Sequence, residues 1–356
     1  MINTFTKYFL AISIFVVIFL NGQTINRYGT TTANFLEIGV GSRATSMGDA
    51  YVAVANDVSS IYWNPAGLSN VSRSSGLFSI QPWLVDIDMM FAGGALVVPS
   101  VGVIGLGITH VDYGEMDVTN LQYQDGTGER FRASDVAATF TFSRKIVSWF
   151  SFGASTKYIS SKIWHSSASA FAVDLGVLVN TNFFSFTGKD KDGMNIGMSI
   201  SNYGTRMKYD GIDNYQPIDI SEYEDGNYGD VAGQFRTSEW ELPLIFRIGF
   251  SIKPLVTNLM NLTLSADALH PNNNAESLNI GAALDNKIPG FGSVSLTMGA
   301  KSGMNGLTKD DNDIGFTFGA GTKMFYLGNK SISVDYTYKT MGILGNVQVY
   351  TIGVSF

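Results

Sequence analysis

Eight charged residues sit on one face of segments whose residues alternate with period two: Asp135, Lys157, Asp174, Arg247, Asp267, Lys301, Lys323 and Asp335. Four are acids and four are bases. Such a set can pair into a lattice, or it can line a polar conduction path. Catalytic acid–base work needs two such groups converging on one substrate atom, and sequence spacing supplies no such pair. The three histidines, His110, His165 and His270, are never three or four residues apart, so no helical metal-ligand pair exists. The chain has no cysteine and no Gly-x-Ser-x-Gly elbow, which removes a thiol nucleophile, a cysteine metal site and that serine hydrolase geometry. Nothing calls for a cofactor, and the expectation is a protein without enzymatic activity.

Recognition chemistry is better represented. Between Tyr209 and Phe235 stand Asp210, Asp213, Asp219, Glu222, Glu224, Asp225 and Asp230 without a single Lys or Arg. Tyr215, Tyr223 and Tyr228 are interleaved among them. A second acidic group, Asp310, Asp311 and Asp313, lies downstream, but neither has the spacing of a twelve-residue calcium loop. These read as solvated acidic loops, and the three tyrosines mark the first as the place to dock a protein or grip a ligand.

The elements that must position these residues are short, alternating and numerous. Fourteen segments are expected as strands: 74–84, 88–98, 101–110, 133–145, 150–163, 167–180, 195–204, 242–253, 261–270, 277–286, 292–302, 314–327, 331–340 and 347–356. In 331–340, Ile332, Val334, Tyr336 and Tyr338 alternate with Ser333, Asp335 and Thr337. In 242–252, Leu244, Phe246, Ile248, Phe250 and Ile252 stand against Arg247 and Ser251. One apolar and one polar face also describes a soluble sandwich. Length, number and aromatic content favour a transmembrane antiparallel β-barrel of about fourteen strands, with apolar residues toward lipid and the eight charges in the lumen. An even count places both termini on the periplasmic side. The long links 111–132 and 205–241 then fall outside the cell, with 181–194 an unusually long periplasmic link.

The ends of the chain fit that reading. Residues 1–22 carry one basic residue, Lys7, and an apolar run from Tyr8 to Leu20, as in a signal peptide cleaved near Gly22/Gln23. Residues 35–68 are rich in Gly, Ala and Ser and read as short helix and turn. Within them Asn64-Pro65-Ala66-Gly67 forces a kink, because Pro65 fixes its own φ and pushes Asn64 out of helix. The expected division is therefore a signal peptide at 1–22, a hatch in the lumen at 23–73 and a barrel at 74–356. Charged residues make up only 15% of the chain, below the quarter usual in soluble domains, and the net charge of −7 argues against nucleic acid as a partner. The chain ends with Tyr350, Ile352, Val354 and Phe356 on one face. That ending resembles the C-terminal strand signal of bacterial outer-membrane barrels, with Tyr350 and the terminal Phe356 as its aromatic positions.

Residues 41–68, GSRATSMGDAYVAVANDVSSIYWNPAGL, resemble the N-terminal signature of the PorV/PorQ-type outer-membrane proteins, which are similar to FadL and toluene-channel barrels. Asp267-Ala268-Leu269-His270-Pro271-Asn272, followed by Glu276 and Leu278-Asn279-Ile280-Gly281, is similar to a second stretch of the same family. The resemblance implies an outer-membrane barrel in or beside type IX secretion, with secretion-system subunits or secreted cargo as partners besides membrane lipid. The FadL side implies a different role, uptake of small hydrophobic molecules past a hatch whose gating kink would be Asn64, Pro65, Ala66 and Gly67.

Overall fold

The computed structural model describes residues 27, 29–188, 192–218, 231–303, 315–326 and 330–356. The signal-peptide expectation, Tyr223, Tyr228 and the Asp310–Asp313 group lie outside the described residues. Fourteen strands close into one antiparallel ring: β1 (Ser75–Pro82), β2 (Asp88–Val98), β3 (Gly102–Asp117), β4 (Arg130–Val147), β5 (Phe150–Ile163), β6 (Ser166–Asn180), β7 (Asn195–Gly204), then β11 (Ile245–Val256), β12 (Met260–Pro271), β13 (Ser277–Ile288), β14 (Gly292–Gly303), β15 (Gly315–Tyr326), β16 (Lys330–Thr340) and β17 (Asn346–Ser355). Strand β1 pairs with both β2 and β17, and β7 pairs with β11, so no edge remains in the ring. Closure removes the unpaired row of amides that an open sheet would present. Between β7 and β11 lie three short strands: β8 (Asp210–Gly211) on the end of β6, and the two-stranded ladder β9 (Tyr215–Ile218) with β10 (Val231–Gln234).

Two expected links need correction. The link expected at 111–132 is shorter, 118–129, because β3 runs to Asp117 and β4 begins at Arg130. A bulge between Asp112 and Glu115, with Gly114 at φ +76°, shifts the register there and interrupts the alternation on which a sequence reading depends. Beyond the bulge, Glu115 and Asp117 pair with Arg132 and Arg130 across the two strands at 2.7 and 3.0 Å. The link 205–241 likewise contains β8, β9 and β10, which are too short to show a period.

Alternation sets the two faces of the wall. Phe140, Phe142, Phe171, Phe316, Phe318, Tyr336 and Ile352 are exposed on the outside, whereas Thr141, Ser143, Ser155, Thr317, Thr337 and Thr351 are buried inside. Among the described residues no helix is long and apolar enough to cross a membrane, so any crossing belongs to these strands. At one end of the ring lie Ser74 and Phe356, whose backbones are hydrogen-bonded at 3.0 Å, and the turns 99–101, 148–149, 257–259 and 289–291. The longer links, except that between β6 and β7, gather at the other end. There Thr32 donates its amide to Glu241 O, so the luminal segment starts at this end, and the expectation that both termini share the short-turn side is corrected.

Inside the ring runs the N-terminal segment. It contains a 3-10 turn at Asn34–Glu37, helix α1 (Ser42–Ser46), helix α2 (Ser60–Trp63) and a second 3-10 turn at Pro65–Asn70. Asn64 is extended at φ −158°, and its side chain accepts a bond from the Ala66 amide, so the kink also caps the turn that follows. Strand glycines let this segment touch the wall. A Cβ on Gly176 would lie 2.2 Å from Asn64 Oδ1 and 2.8 Å from Pro65 Cδ, and one on Gly299 would lie 2.2 Å from the Gly48 amide nitrogen.

This packing makes a test. Gly176→Val should lower stability by about 2 kcal/mol through overpacking against Asn64 and Pro65, while Val177→Leu on the outer face should stay within about 0.5 kcal/mol. Denaturant midpoints of the purified barrel measure both.

Candidate functional site

The candidate site is the lumen and the rims that open from it. The luminal segment has few long helical ladders to satisfy its own backbone, and short Ser and Thr side chains of the wall do so instead. The Ser42 amide donates to Thr351 Oγ1 at 2.8 Å and Thr337 Oγ1 donates to the Ser42 carbonyl at 2.6 Å. Thr317 Oγ1 donates to Ser46 O, Ser265 Oγ to Ala50 O, Ser199 Oγ to Trp63 O and Ser143 Oγ to Ala66 O, at 2.8–3.1 Å. The contacts therefore come from β4, β7, β12, β15, β16 and β17, that is, from around the ring.

Charged groups add a second layer. Lys157 and Asp174 form an ion pair at 2.7 Å, and both also bond Asn202, Lys157 Nζ to its Oδ1 and Asp174 Oδ1 from its amide. Arg247 is buried, donates to Ser201 Oγ at 3.0 Å, and lies 5.4 Å from the Tyr62 ring and 5.7 Å from the Trp63 ring. Asp267 accepts the Val52 amide at 2.8 Å. Asp135 accepts the Tyr113 hydroxyl at 2.6 Å. Lys301 reaches Asp49 at 3.2 Å, and Lys339 reaches the same oxygen at 3.6 Å. Lys323 and Asp335 line a cavity of about 390 Å³ at the end that carries Ser74 and Phe356. The eight charges thus do not meet at one point; they are distributed around the luminal segment.

Two acids of that segment respond to their surroundings in opposite directions. Burial raises the Glu37 carboxyl above its ordinary value, with Asn273, Lys301 and Arg247 opposing it only in part. Burial acts the same way on Asp49, but Lys339 and Lys301, with Arg247 further off, outweigh it and hold that carboxyl below its ordinary value.

Arg43 spans from α1 to Asp285 on β13 with two bonds of 2.9 and 2.8 Å. It separates the 390 Å³ cavity from a second one of about 660 Å³, lined by Lys145, Lys253, Lys287 and several asparagines and threonines. The larger cavity is lined mainly by polar groups, and the smaller is about equally polar and apolar. Above them the segment is tight: around Phe35, Ile61, Tyr62 and Phe91 only about 10 Å³ remains. Beside Pro65 the wall presents Gly153 and Gly176 in contact with the kink, not an apolar chamber. Among the described residues no cluster of His, Asp and Glu is suited to a metal.

Residues 21–226 match the family described as Type IX secretion system protein PorV, more than half of the chain. The chain belongs to the PorV family. Its fold is shared with hydrocarbon channels of low sequence identity. The CymD monoaromatic hydrocarbon channel superposes with a TM-score of 0.55 at 10% identity, covering 89% of this chain and 98% of that one. The Pseudomonas putida toluene transporter TodX gives 0.52 at 10%, with 93% and 98% covered. The Ralstonia pickettii toluene transporter TbuX gives 0.51 at 8%, with 89% and 97% covered. Comparison with curated proteins gives no match. The chain is accordingly a PorV-family β-barrel with an outer-membrane role, and it shares its fold with these channels.

At the long-link rim this PorV-family chain exposes Tyr203 (71%), Ile212, Tyr215, Phe235 (67%) and Trp240. His165 and Asp213 pair there at 3.0 Å, and His165 stacks on Trp164. His270 bonds Glu276 at 2.8 Å, whereas His110 lies inside β3 because that strand is longer than expected. Tyr350 and Phe356 are exposed on and just past β17. The sequence reading missed Arg43, Asp49, Lys339 and Asp285. A signal was present: Glu37, Arg43, Asp49 and Asp57 are the charged residues of 35–68, and an enclosed charge needs a partner.

Asp49→Asn should destabilise the barrel by about 3 kcal/mol, because Lys339 is then left buried and unpaired; the more exposed Lys301 contributes less. The wild-type contribution is present above the unfolded aspartate value of about 3.9 and is lost as pH falls through the lower folded value. Glu37 acts in the opposite sense, favouring the folded state as it protonates. The difference in unfolding midpoint between wild type and Asp49→Asn should therefore hold at neutral pH and narrow as pH falls below about 3.9.

Proposed function

We propose that the chain is a non-enzymatic component of, or accessory to, type IX protein secretion, holding cargo or partner subunits at the cell surface. On this reading residues 1–22 are removed on export, 23–73 act as a hatch, and 74–356 form the barrel in the outer membrane. The end with Ser74, the C-terminal Phe356 and the short turns faces the periplasm, and the long links face outward. Tyr350 and Phe356 supply the aromatic positions of the insertion signal.

The observation that carries the docking role is the closed lumen beside Pro65 combined with an exposed aromatic rim. A channel for lipophiles needs an apolar cavity, and of the two cavities at the short-turn end the larger is lined mainly by polar groups and the smaller by a mixture. The rim instead offers Tyr203, Tyr215, Phe235 and Trp240 beside Asp210 and Asp213, a mixture suited to protein contacts. Tyr223 and Tyr228 extend the same proposal along the acidic link.

A second reading keeps one supporting observation. Where β6 meets β7 the register shifts between Val173 and Leu175, and Asn202 adopts φ +66°. Such a break is where a wall could pass a small hydrophobic molecule sideways, with Asn64–Gly67 as the gate. The Lys157–Asp174–Asn202 cluster occupies that break and weighs against it.

Affinity purification from mild-detergent outer membranes, with proteins and bound lipophiles both identified, separates the two. Docking predicts stoichiometric secretion subunits or cargo and no lipophile. It also predicts roughly ten-fold or greater weakening of that capture when Tyr215, Phe235 and Trp240 are all replaced by Ser. A lone barrel carrying a hydrophobic molecule would reverse the order.

A further inference from the structure

At the short-turn end, the link between β6 and β7 is longer than the two- or three-residue turns at 99–101, 148–149, 257–259 and 289–291. It presents Phe183, Phe184 and Phe186 at 66%, 54% and 70% exposure. These rings stand on an ordered frame. The Thr181 amide donates to Met194 O at 2.9 Å, the Met194 amide to Phe183 O at 2.8 Å, and the Ser185 amide to Asn182 O at 3.1 Å. Phe184 itself holds φ +55°, a conformation unfavourable for a bulky side chain and retained only where surrounding structure imposes it. Exposing three aromatic rings at the cost of backbone strain is not how a mere connector is built.

The position says what covers them. The outer row of β6 runs Phe171, Val173, Leu175, all exposed and apolar, down to this link. The Asn180 amide donates to Trp149 O at 2.8 Å, tying the link to the β4–β5 turn, where Trp149 is also exposed. On the same outer face Arg144 stands across from Phe152, is exposed, and makes no ion pair among the described residues. Aromatic rings and an unpaired cation continuing a lipid-facing wall are the chemistry of a membrane interface: rings at headgroup depth and guanidinium on phosphate.

We propose that Phe183, Phe184 and Phe186 form a foot that inserts into the phospholipid leaflet at the short-turn end, with Arg144 on its phosphates. The inference rests on the reading of the ring as a membrane barrel, and the test keeps the two apart. Because the chain has no cysteine, Phe183→Cys, Phe184→Cys and Phe186→Cys can each carry one nitroxide label. The labelled full-length proteins go into nanodiscs of phosphatidylcholine and phosphatidylglycerol. Collision with oxygen, which partitions into lipid, is compared with collision with a water-soluble nickel chelate. Phe318→Cys on the outer wall is the lipid reference, and Asn258→Cys in the β11–β12 turn is the aqueous reference. The foot predicts oxygen-to-nickel ratios at two or more of the three positions at least about three-fold above Asn258→Cys, approaching Phe318→Cys. Ratios matching Asn258→Cys, with Phe318→Cys reading lipid, overturn the foot and leave the barrel standing. Labels shielded from both reagents indicate protein contact and also overturn it. A Phe318→Cys label that reads water removes the membrane seating, and the foot with it.

Discussion

An irregular backbone enclosed in a ring of strands must find a partner for each of its amides and carbonyls, and the rest of this structure follows from that requirement. A buried unpaired backbone group costs about as much as a lost hydrogen bond. Residues 33–71 contain only single turns of helix, whose own bonds meet part of these groups and leave the rest to the wall. The wall meets them with Ser and Thr at inward positions, where the hydroxyl is short enough to leave room and polar enough to bond. Glycines such as Gly176 and Gly299 bring the wall close enough for those bonds to form. A lumen composed of Ser, Thr and Gly is therefore not simply hydrophilic. It is shaped to one particular chain segment.

Charge then decides how firmly the segment is held. Arg43 and Asp49 each belong to the segment, and each meets a wall residue of opposite sign. Removing one partner strands the other in a poorly solvated place, so these pairs are far more costly to break than surface pairs of the same geometry. They also differ in reach. Arg43 lines both cavities at the short-turn end, whereas Asp49 is almost wholly enclosed. The short-turn side of the segment is thus the more easily loosened, and the side near the long links is the more tightly fixed.

Much of the fold was legible because a barrel writes its geometry at period two. Residues such as Ile332, Val334 and Tyr336 against Ser333, Asp335 and Thr337 identify both the strand and its inward face. Legibility stopped where the period stopped, at the Gly114 bulge and in the two- to four-residue strands after β7. The luminal contacts were hidden for another reason. Asp49 and Lys339 are far apart in sequence and meet only because the chain enters the ring it later forms. The kink was readable from Asn64-Pro65, but its role as a cap for the next 3-10 turn depends on side-chain geometry that spacing does not encode.

Likeness to hydrocarbon channels also has a physical limit. A shared ring with an N-terminal segment inside can serve either as a gate or as a stopper, and strand number does not distinguish them. What does is the kind of surface at the kink. A gate for an apolar molecule needs apolar wall and spare volume beside it, so that the segment can shift without exposing its backbone to something that cannot hydrogen-bond. Here the groups beside Asn64–Gly67 are glycine backbone, Ser143, Ser199 and the carbonyl of Val177, and moving the segment would leave these polar groups facing the ligand. The same bonds that satisfy the enclosed backbone therefore make a poor path for a hydrophobic molecule. They favour a barrel whose useful surfaces lie on its rims.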